Sequence, residues 1–306
     1  MWLAYAFLSA ALLGCYDVCK KQALRHHAVV PVLFLNTLFC SLIFLVPVVG
    51  SAVHGIAEGS PFYVPQQGWE VQRYVILKSL IVLSSWLLGY YGMKYLPLTL
   101  VGPINATRPV MVLLGAMLFF GERLNLYQWI GVLLAIVSFY MLSRSGRREG
   151  IDFRHNRWVA CVVLSAILGA LSGLYDKYLM ASPDAGGVGL NRMVVQSYYN
   201  FYQCLLMGVL LWVGRQALPK EGLSRRGLLP IVLVSVFLTI ADFVYFYALS
   251  LDGAMVSIVS MVRRSSVVVS FLLGAWLFHE RNLRSKAIDL ALVLIGMIFL
   301  WIGSDK

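Results

Sequence analysis

The chain has 306 residues, of which 60% are hydrophobic and only 13% are charged. Because a soluble domain is about half apolar and about a quarter charged, this composition excludes an ordinary soluble fold and predicts a polytopic membrane protein. A formal net charge of +11 would suggest nucleic-acid binding in a soluble chain. Here most basic residues lie between apolar runs, where they set membrane topology, so no nucleic-acid partner is expected.

The chain contains about ten apolar runs of the length that a membrane-spanning helix needs, about 20 residues each. The first run lacks a preceding basic region, which predicts a retained span and not a cleaved signal. The ten predicted spans are Trp2–Lys20, Val29–Val49, Tyr74–Met93, Thr99–Phe120, Tyr127–Leu142, Arg157–Leu179, Met193–Val213, Leu228–Leu249, Ala254–Phe278 and Ala287–Ile302.

Short motifs in the first half recur in the second half, in the same order and about 160 residues later. The pairs are Gly14-Cys-Tyr16-Asp17 with Gly173-Leu-Tyr175-Asp176, Asn36 and Cys40 with Asn200 and Cys204, and Phe120-Gly-Glu122-Arg123 with Phe278-His-Glu280-Arg281. Five spans per copy is an odd number, so consecutive copies have opposite orientations in the membrane. The predicted fold is therefore all-α, with about ten transmembrane helices in two inverted five-helix repeats around a central cavity. The predicted division is residues 1–143, a basic linker 144–156, and residues 157–306.

Two adjacent arginines, Arg263 and Arg264, lie well inside the ninth apolar run. An arginine at the centre of a spanning helix costs about 2.5–3.5 kcal/mol on insertion scales. If the helix begins near Ala254, the pair lies about 15 Å deep, and Ser260 lies one turn before it. This polar sector predicts a helix that lines a wet cavity, with both arginines and Ser260 facing the solute. The alternatives are an arginine that reaches a lipid head group or one that pairs with an aspartate as a packing device.

The fourth span carries Arg108, with Asn105 three residues earlier on the same helix face. Arg108 is the approximate repeat partner of Arg264, so both halves are predicted to bring a guanidinium group to the solute. Alternatively, Arg108 binds carbonyl groups that Pro109 frees by kinking the helix.

Three aspartates inside the spans are candidates for balancing charge or for coupling. Asp17 has Lys20 and Lys21 one turn later, so a local ion pair is an alternative, whereas Asp176 has only Lys177 beside it. Asp242 lies in mid-span without a nearby cation in the sequence. It is predicted to neutralise one of the arginines, or else to carry a coupling proton.

Aromatic side chains on the third and eighth spans are the remaining site candidates. Trp86, Tyr90 and Tyr245 form either packing contacts or the wall of the cavity, and the two tyrosine hydroxyl groups need polar partners in a dry span. The five cysteines and five histidines show no metal-ligand or disulfide spacing, so no metal and no cofactor are predicted.

The chain resembles the drug/metabolite transporter superfamily, specifically its EamA-like members. FFGERL at Phe119–Leu124 and Pro109 in the fourth helix are close to that family's usual pattern. LFHERN at Leu277–Asn282 departs from it, because His279 replaces glycine. The resemblance covers nearly the whole chain and implies a solute carrier with a central cavity.

The ninth span also resembles that of the plastid phosphate translocators, which carry a Lys-Arg pair before a valine-rich run. MVRRSSVVVS matches this element with arginine in place of lysine, which implies that Arg263 and Arg264 bind a substrate phosphate. Those translocators place a lysine four residues before the proline of the fourth helix, where this chain has Asn105.

The leading hypothesis is therefore a secondary transporter, not an enzyme, that carries a small phosphorylated or carboxylated anion by alternating access. One alternative is a proton-coupled exporter of amino acids or neutral metabolites, and a more distant one is a membrane enzyme acting on lipid phosphate. The expected partners are a small solute and the lipid bilayer, with the protein a monomer or homodimer in the plasma (inner) membrane of a bacterium. The distribution of Lys and Arg favours non-cytoplasmic positions for both termini.

Overall fold

The computed structural model describes residues 2–53, 55–120, 124–147, 151–180, 183, 186–214, 225–250, 262–280 and 283–304. Within these ranges the chain forms eleven helices and no strand. The helices are α1 (Trp2–His26), α2 (Val29–Ala52), α3 (Trp69–Tyr95), α4 (Leu98–Ala106), α5 (Arg108–Phe120), α6 (Leu126–Arg147), α7 (Arg157–Met180), α8 (Arg192–Val213), α9 (Arg225–Ser250), α10 (Ser266–Phe278) and α11 (Leu283–Ser304).

Seven stretches of the described helices are long and apolar enough to cross a membrane, so the predicted all-α membrane fold is confirmed. The ten-span count stays a prediction. Helices α4, α5 and α10 have only 9, 13 and 13 residues, because the predicted fourth and ninth spans are each interrupted. The division at 143 and 157 also remains a prediction, although α6 ends at Arg147 and α7 begins at Arg157.

The fourth and ninth predicted spans are interrupted at residues whose side-chain hydroxyl group donates a hydrogen bond to the preceding turn. Thr107 stands between α4 and α5, and its hydroxyl group donates to the carbonyl oxygen of Ile104 at 2.7 Å. Ser265 stands immediately before α10, and its hydroxyl group donates to the carbonyl oxygen of Val262 at 2.6 Å. Such back-bonding to the preceding turn disturbs and bends helices, and the ninth predicted span is interrupted at Ser265 although its sequence contains no proline.

Helix packing is symmetric between the two halves of the chain. In the first half α1 packs against α9 and α10, and in the second half α7 packs against α3, α4 and α5. Two further pairs, α2 with α8 and α6 with α11, join equivalent helices of the two halves. This pairing is the pattern expected of two repeats related by an approximate two-fold axis.

Successive spans alternate in direction, so the beginning of α1 and the end of α11 lie on one side, which we call the terminal side. On the opposite side, Glu280 caps the beginning of α4. Its carboxylate accepts from the backbone N–H groups of Leu98 at 2.6 Å and Thr99 at 2.9 Å. The buried Lys286 donates to the hydroxyl of Thr99 at 2.9 Å. The glutamate of the second FGER-like motif therefore joins the end of the ninth span to the beginning of the fourth.

His279, just before this glutamate, adopts a left-handed backbone conformation with φ 51° and ψ 45°. Glycine adopts this conformation at lower cost than other residues. The family's usual glycine at this position therefore has a conformational reason, and His279 fills the same role with some backbone strain. The corresponding motif of the first half, with Glu122, lies outside the described residues.

We predict that Glu280→Ala destabilises the protein by about 2 kcal/mol, because two backbone donors lose a charged acceptor. Thermal unfolding of the purified protein in detergent measures the effect. Glu70→Ala, on an exposed side chain in the first turn of α3, is the matched control and should change stability little. Equal unfolding temperatures for the two variants would contradict the capping role.

Candidate functional site

A cavity of about 300 Å³ lies between the two halves of the chain and gathers most of the residues singled out from the sequence. This volume is at the lower end of the range for small-molecule sites. Nine of the predicted residues line it: Asp17, Trp86, Tyr90, Asn105, Arg108, Asp242, Tyr245, Arg263 and Arg264. They come from α1, α3, α4, α5, α9 and the helical turn before α10.

Two ion pairs account for both carboxylates of this cavity. Lys20 Nζ lies 3.0 Å from Asp17 Oδ1, which is the local pair that the sequence allowed as an alternative. Arg263 Nη2 donates to Asp242 Oδ1, as predicted for a charge-balancing aspartate. The guanidinium carbon of Arg263 also lies 4.3 Å from the ring centroid of Tyr245, so an aromatic face and a carboxylate hold this arginine together.

The other two arginines of the cavity lack such partners. In the part of the chain that the structure describes, neither Arg108 nor Arg264 has a carboxylate within 4.0 Å. Arg264 is repelled by both Arg108 and Arg263, whereas Arg108 is attracted by Asp17 at longer range. The cavity therefore carries four cations, Lys20 and the three arginines, against two carboxylates.

Arg108 is positioned by α7. Its Nη2 donates a long hydrogen bond of 3.5 Å to Ser165 Oγ, and its guanidinium carbon would lie 2.9 Å from a Cβ added at Gly169. Glycine at this position therefore lets the guanidinium group lie directly against the α7 backbone. The alternative in which Arg108 binds carbonyl groups freed by Pro109 has no such hydrogen bond among the described residues.

Three polar atoms of the site are buried and have no hydrogen-bond partner within the described residues. They are Asn105 Oδ1, Arg108 Nε and Arg263 Nε. Buried polar atoms are almost always hydrogen-bonded in proteins. Three such atoms around one cationic cavity are therefore typical of a site that hydrogen-bonds a ligand.

Aligning the helix break at Thr107 with that at Ser265 shifts the correspondence between the two halves by two residues from the one that paired Arg108 with Arg264. Thr107 and Ser265 are 158 positions apart, which is also the distance between Glu122 and Glu280. In this register Arg264 corresponds to Ala106, and Arg263 corresponds to Asn105. Arg108 and Arg264 still line the same cavity, but they come from neighbouring and not from equivalent positions of the two spans.

A second cavity, of about 200 Å³, adjoins the first one toward the terminal side and shares Asp242 and Arg263 with it. Asp176 lines this second cavity, where Lys78 Nζ donates to its Oδ1. Lys78 is a buried residue of α3 whose importance the sequence reasoning missed. Its position inside a predicted span, Tyr74–Met93, was the signal that could have found it.

Two buried tyrosines hold the ammonium group of Lys20. The Nζ atom of Lys20 lies 4.4 Å from the ring centroid of Tyr16 and 5.1 Å from that of Tyr90. Asn36 donates to the Tyr90 hydroxyl at 3.2 Å and accepts from Ser235 at 2.9 Å. Tyr90 is therefore both a cavity wall and part of an interhelical hydrogen-bond network, while Tyr16 was not predicted.

A seam of small residues brings α3 and α7 close together beside the cavity. Ser85 and Ser165 each donate to the carbonyl oxygen of the other at 2.7 Å. A Cβ added at Gly89 would lie 2.8 Å from Ser165 Oγ. Small residues let helix backbones approach closely in membranes, and this seam fixes Ser165 next to Arg108.

The remaining predicted site residue, Ser260, lies outside the described residues. In the ranges given above, no group of three or more His, Cys, Asp or Glu side chains could hold a metal ion. The five cysteines are free thiols.

The membrane helices and the charged internal cavity define a polytopic membrane protein with an internal polar site. Residues 1–144 match the sequence profile of the EamA-like transporter family. The family resemblance inferred from the sequence is thereby confirmed. Membrane transport of small solutes is the general function that this match supports.

Known proteins that are similar to the chain include these two. One is described as an uncharacterized transporter in the cobO 3' region of Sinorhizobium sp. It is 28% identical over 135 residues, which cover 43% of this chain and 88% of that protein. The other is a solved structure titled only "Crystal structure of protein", with 16% identity and a TM-score of 0.62. The match covers 98% of this chain and 99% of that chain, and it shows a shared fold.

We predict that Asp242→Asn destabilises the protein without added anion, because Arg263 then loses its carboxylate partner. A doubly charged anion such as sulfate should restore part of the stability by binding the native state. The rise in melting temperature on adding sulfate should therefore be larger in Asp242→Asn than in the unmodified protein. Asp152→Asn, at an exposed aspartate that pairs with His155, is the control. Equal sulfate responses in all three proteins would be inconsistent with this charge balance.

Proposed function

We propose that the protein is a secondary transporter of a small organic anion with two negative charges, phosphorylated or dicarboxylated, held by Arg108, Arg263 and Arg264. The observation that carries the proposal is the pair Arg108 and Arg264. Both face one cavity, and neither has a carboxylate within 4.0 Å among the described residues.

The charge of the cavity favours a dianion. Four cations against two carboxylates leave two net positive charges. Charge at membrane depth is costly unless it is compensated. A phosphate monoester or a dicarboxylate supplies two negative charges, and a neutral solute supplies none.

The geometry of the guanidinium groups favours oxygen anions. Arginine presents a planar fork of N–H donors that matches carboxylate and phosphate oxygens in pairs. Arg108 Nε and Arg263 Nε are buried donors without partners in the described residues. The resemblance of MVRRSSVVVS to the phosphate-binding element of the plastid phosphate translocators supports the same assignment for Arg263 and Arg264.

Two aromatic residues and one amide complete the site in this proposal. Trp86 and Tyr245 line the cavity beside the arginines and would contact the carbon skeleton of the solute. Asn105 Oδ1 is a buried acceptor, so it would receive a hydrogen bond from a hydroxyl group of the solute. This combination suits a small hydroxylated phosphate ester better than inorganic phosphate alone.

The pair Arg263–Asp242 would act as the barrier in alternating access, because it lines both cavities. An arriving anion competes with Asp242 for Arg263. Closing the site without an anion would enclose two uncompensated charges in a medium of low dielectric constant, which is costly. The empty carrier should therefore change its orientation slowly, and the transporter should act mainly as an exchanger.

The proposal predicts that Arg264→Gln lowers anion exchange about 100-fold, because one charge-assisted contact is lost. Proteoliposomes preloaded with glycerol 3-phosphate and given the labelled compound outside measure the exchange, with malate and inorganic phosphate as further probes. Arg264→Lys, which keeps the charge but loses the planar fork, should give an intermediate rate.

Arg154→Gln, at an exposed arginine between α6 and α7, is the control and should exchange at the unmodified rate. Exchange by Arg264→Gln at the unmodified rate would refute the assignment of this arginine. Uptake of a neutral amino acid that depends on a pH gradient, with no anion exchange, would instead favour the proton-coupled exporter.

A further inference from the structure

An apolar groove of about 790 Å³ lies between α2 and α9, and it shares Gln196 with the second charged cavity but no residue with the first. Its walls are formed by α2 from Phe39 to Pro47 and by α9 from Val232 to Phe243. The stretch of α9 spans eleven residue steps, or about 16 Å along the helix. This length is about half of the roughly 30 Å hydrocarbon core of a bilayer, so the groove is one leaflet deep.

The groove extends toward the terminal side, where Ile56, Ser60 and Phe62 of the segment between α2 and α3 line it. The segment between α2 and α3 covers its outer end. The ring of Phe62 stacks on that of Phe243 with centroids 4.8 Å apart and planes 2° apart, and the backbone N–H of Val64 donates to Ser51 Oγ at 2.9 Å. The connection between α2 and α3 therefore shapes the end of the groove.

The outer end of the groove continues into a polar region at the beginning of α8. A small adjoining cavity shares Met193, Gln196 and Phe243 with the groove and adds Arg192 to the lining. Arg192 is the first residue of α8, on the terminal side, and it also lines the second charged cavity. The groove thus has an apolar body and a cationic end.

We propose that this groove binds one acyl chain of an anionic phospholipid of the terminal-side leaflet, with the lipid phosphate next to Arg192. The depth of one leaflet matches an acyl chain, and the cationic end matches the phosphate. Of the three hydroxyl groups in the wall, those of Ser235 and Thr239 donate inward to Asn36 and Cys40, and that of Ser60 accepts from the backbone N–H of Phe62. The wall therefore presents mainly apolar surface to its occupant, as a flexible hydrocarbon chain requires.

The head group should decide the affinity of this site. Lipid tails are as apolar as leucine, so a chain gains little by moving from the bilayer into the groove. The contribution of Arg192 is electrostatic and favours anionic over zwitterionic lipid. The site is therefore expected to retain phosphatidylglycerol and to release phosphatidylcholine.

Native mass spectrometry of the purified full chain, titrated with phosphatidylglycerol or phosphatidylcholine, tests the proposal. We expect one retained phosphatidylglycerol and at least tenfold weaker retention of phosphatidylcholine. Val236→Trp fills the groove and should lower phosphatidylglycerol retention about tenfold. Leu133→Trp, on the exposed face of α6, should not change it, and Arg192→Gln should remove the preference between the two lipids.

Unchanged phosphatidylglycerol retention in Val236→Trp, or equal retention of the two lipids, would overturn the proposal, as would the absence of any retained lipid. If Val236→Trp does not fold, Ile43→Trp on the opposite wall of the groove provides the same test. Arg264→Gln should retain the lipid normally, because Arg264 does not line the groove. The lipid site and the transport site can therefore fail separately.

Discussion

The structure depends on a surplus of positive charge inside the membrane. Four cations face the central cavity, and among the residues that the structure describes Asp17 and Asp242 are the carboxylates that oppose them there. In water such a surplus would matter little, but in a low-dielectric interior it dominates the energetics of the surrounding helices. The carboxylates and aromatic rings around the cavity stabilise Lys20 and Arg263, while Arg108 and Arg264 remain directed at the solute space.

The helix breaks and the tight α3–α7 seam place these charges. Thr107 and Ser265 interrupt the fourth and ninth predicted spans by the same hydrogen bond to the preceding turn, and an arginine lies next to each break. Ser85, Gly89 and Ser165 bring α3 against α7 and fix the partner of Arg108. Each half therefore contributes a guanidinium group at similar depth, although not from equivalent positions.

The sequence predicted the charged residues of the cavity because arginine and aspartate are costly inside apolar runs. This argument identified Arg108, Arg263, Arg264 and Asp242, and the structure brings these four together. The all-α membrane fold was predicted from the composition and the apolar runs. The EamA-like family was inferred from the resemblance of short motifs.

The interhelical contacts could not be predicted from one sequence. The pairing of Asp176 with Lys78 depends on which faces of α3 and α7 meet, and spacing along one helix carries no such information. The break at Ser265 was missed because serine is a much weaker signal than proline. The groove between α2 and α9 is likewise formed by two helices that are distant in sequence.

The central claim is that Arg108 and Arg264 together bind an oxygen dianion. Diffraction from crystals grown with tungstate, a tetrahedral dianion with strong anomalous scattering, tests it directly. The account predicts an anomalous peak between the two guanidinium groups, which Arg264→Gln abolishes. Tungstate found only at the protein surface, or a peak that persists unchanged in Arg264→Gln, would contradict it.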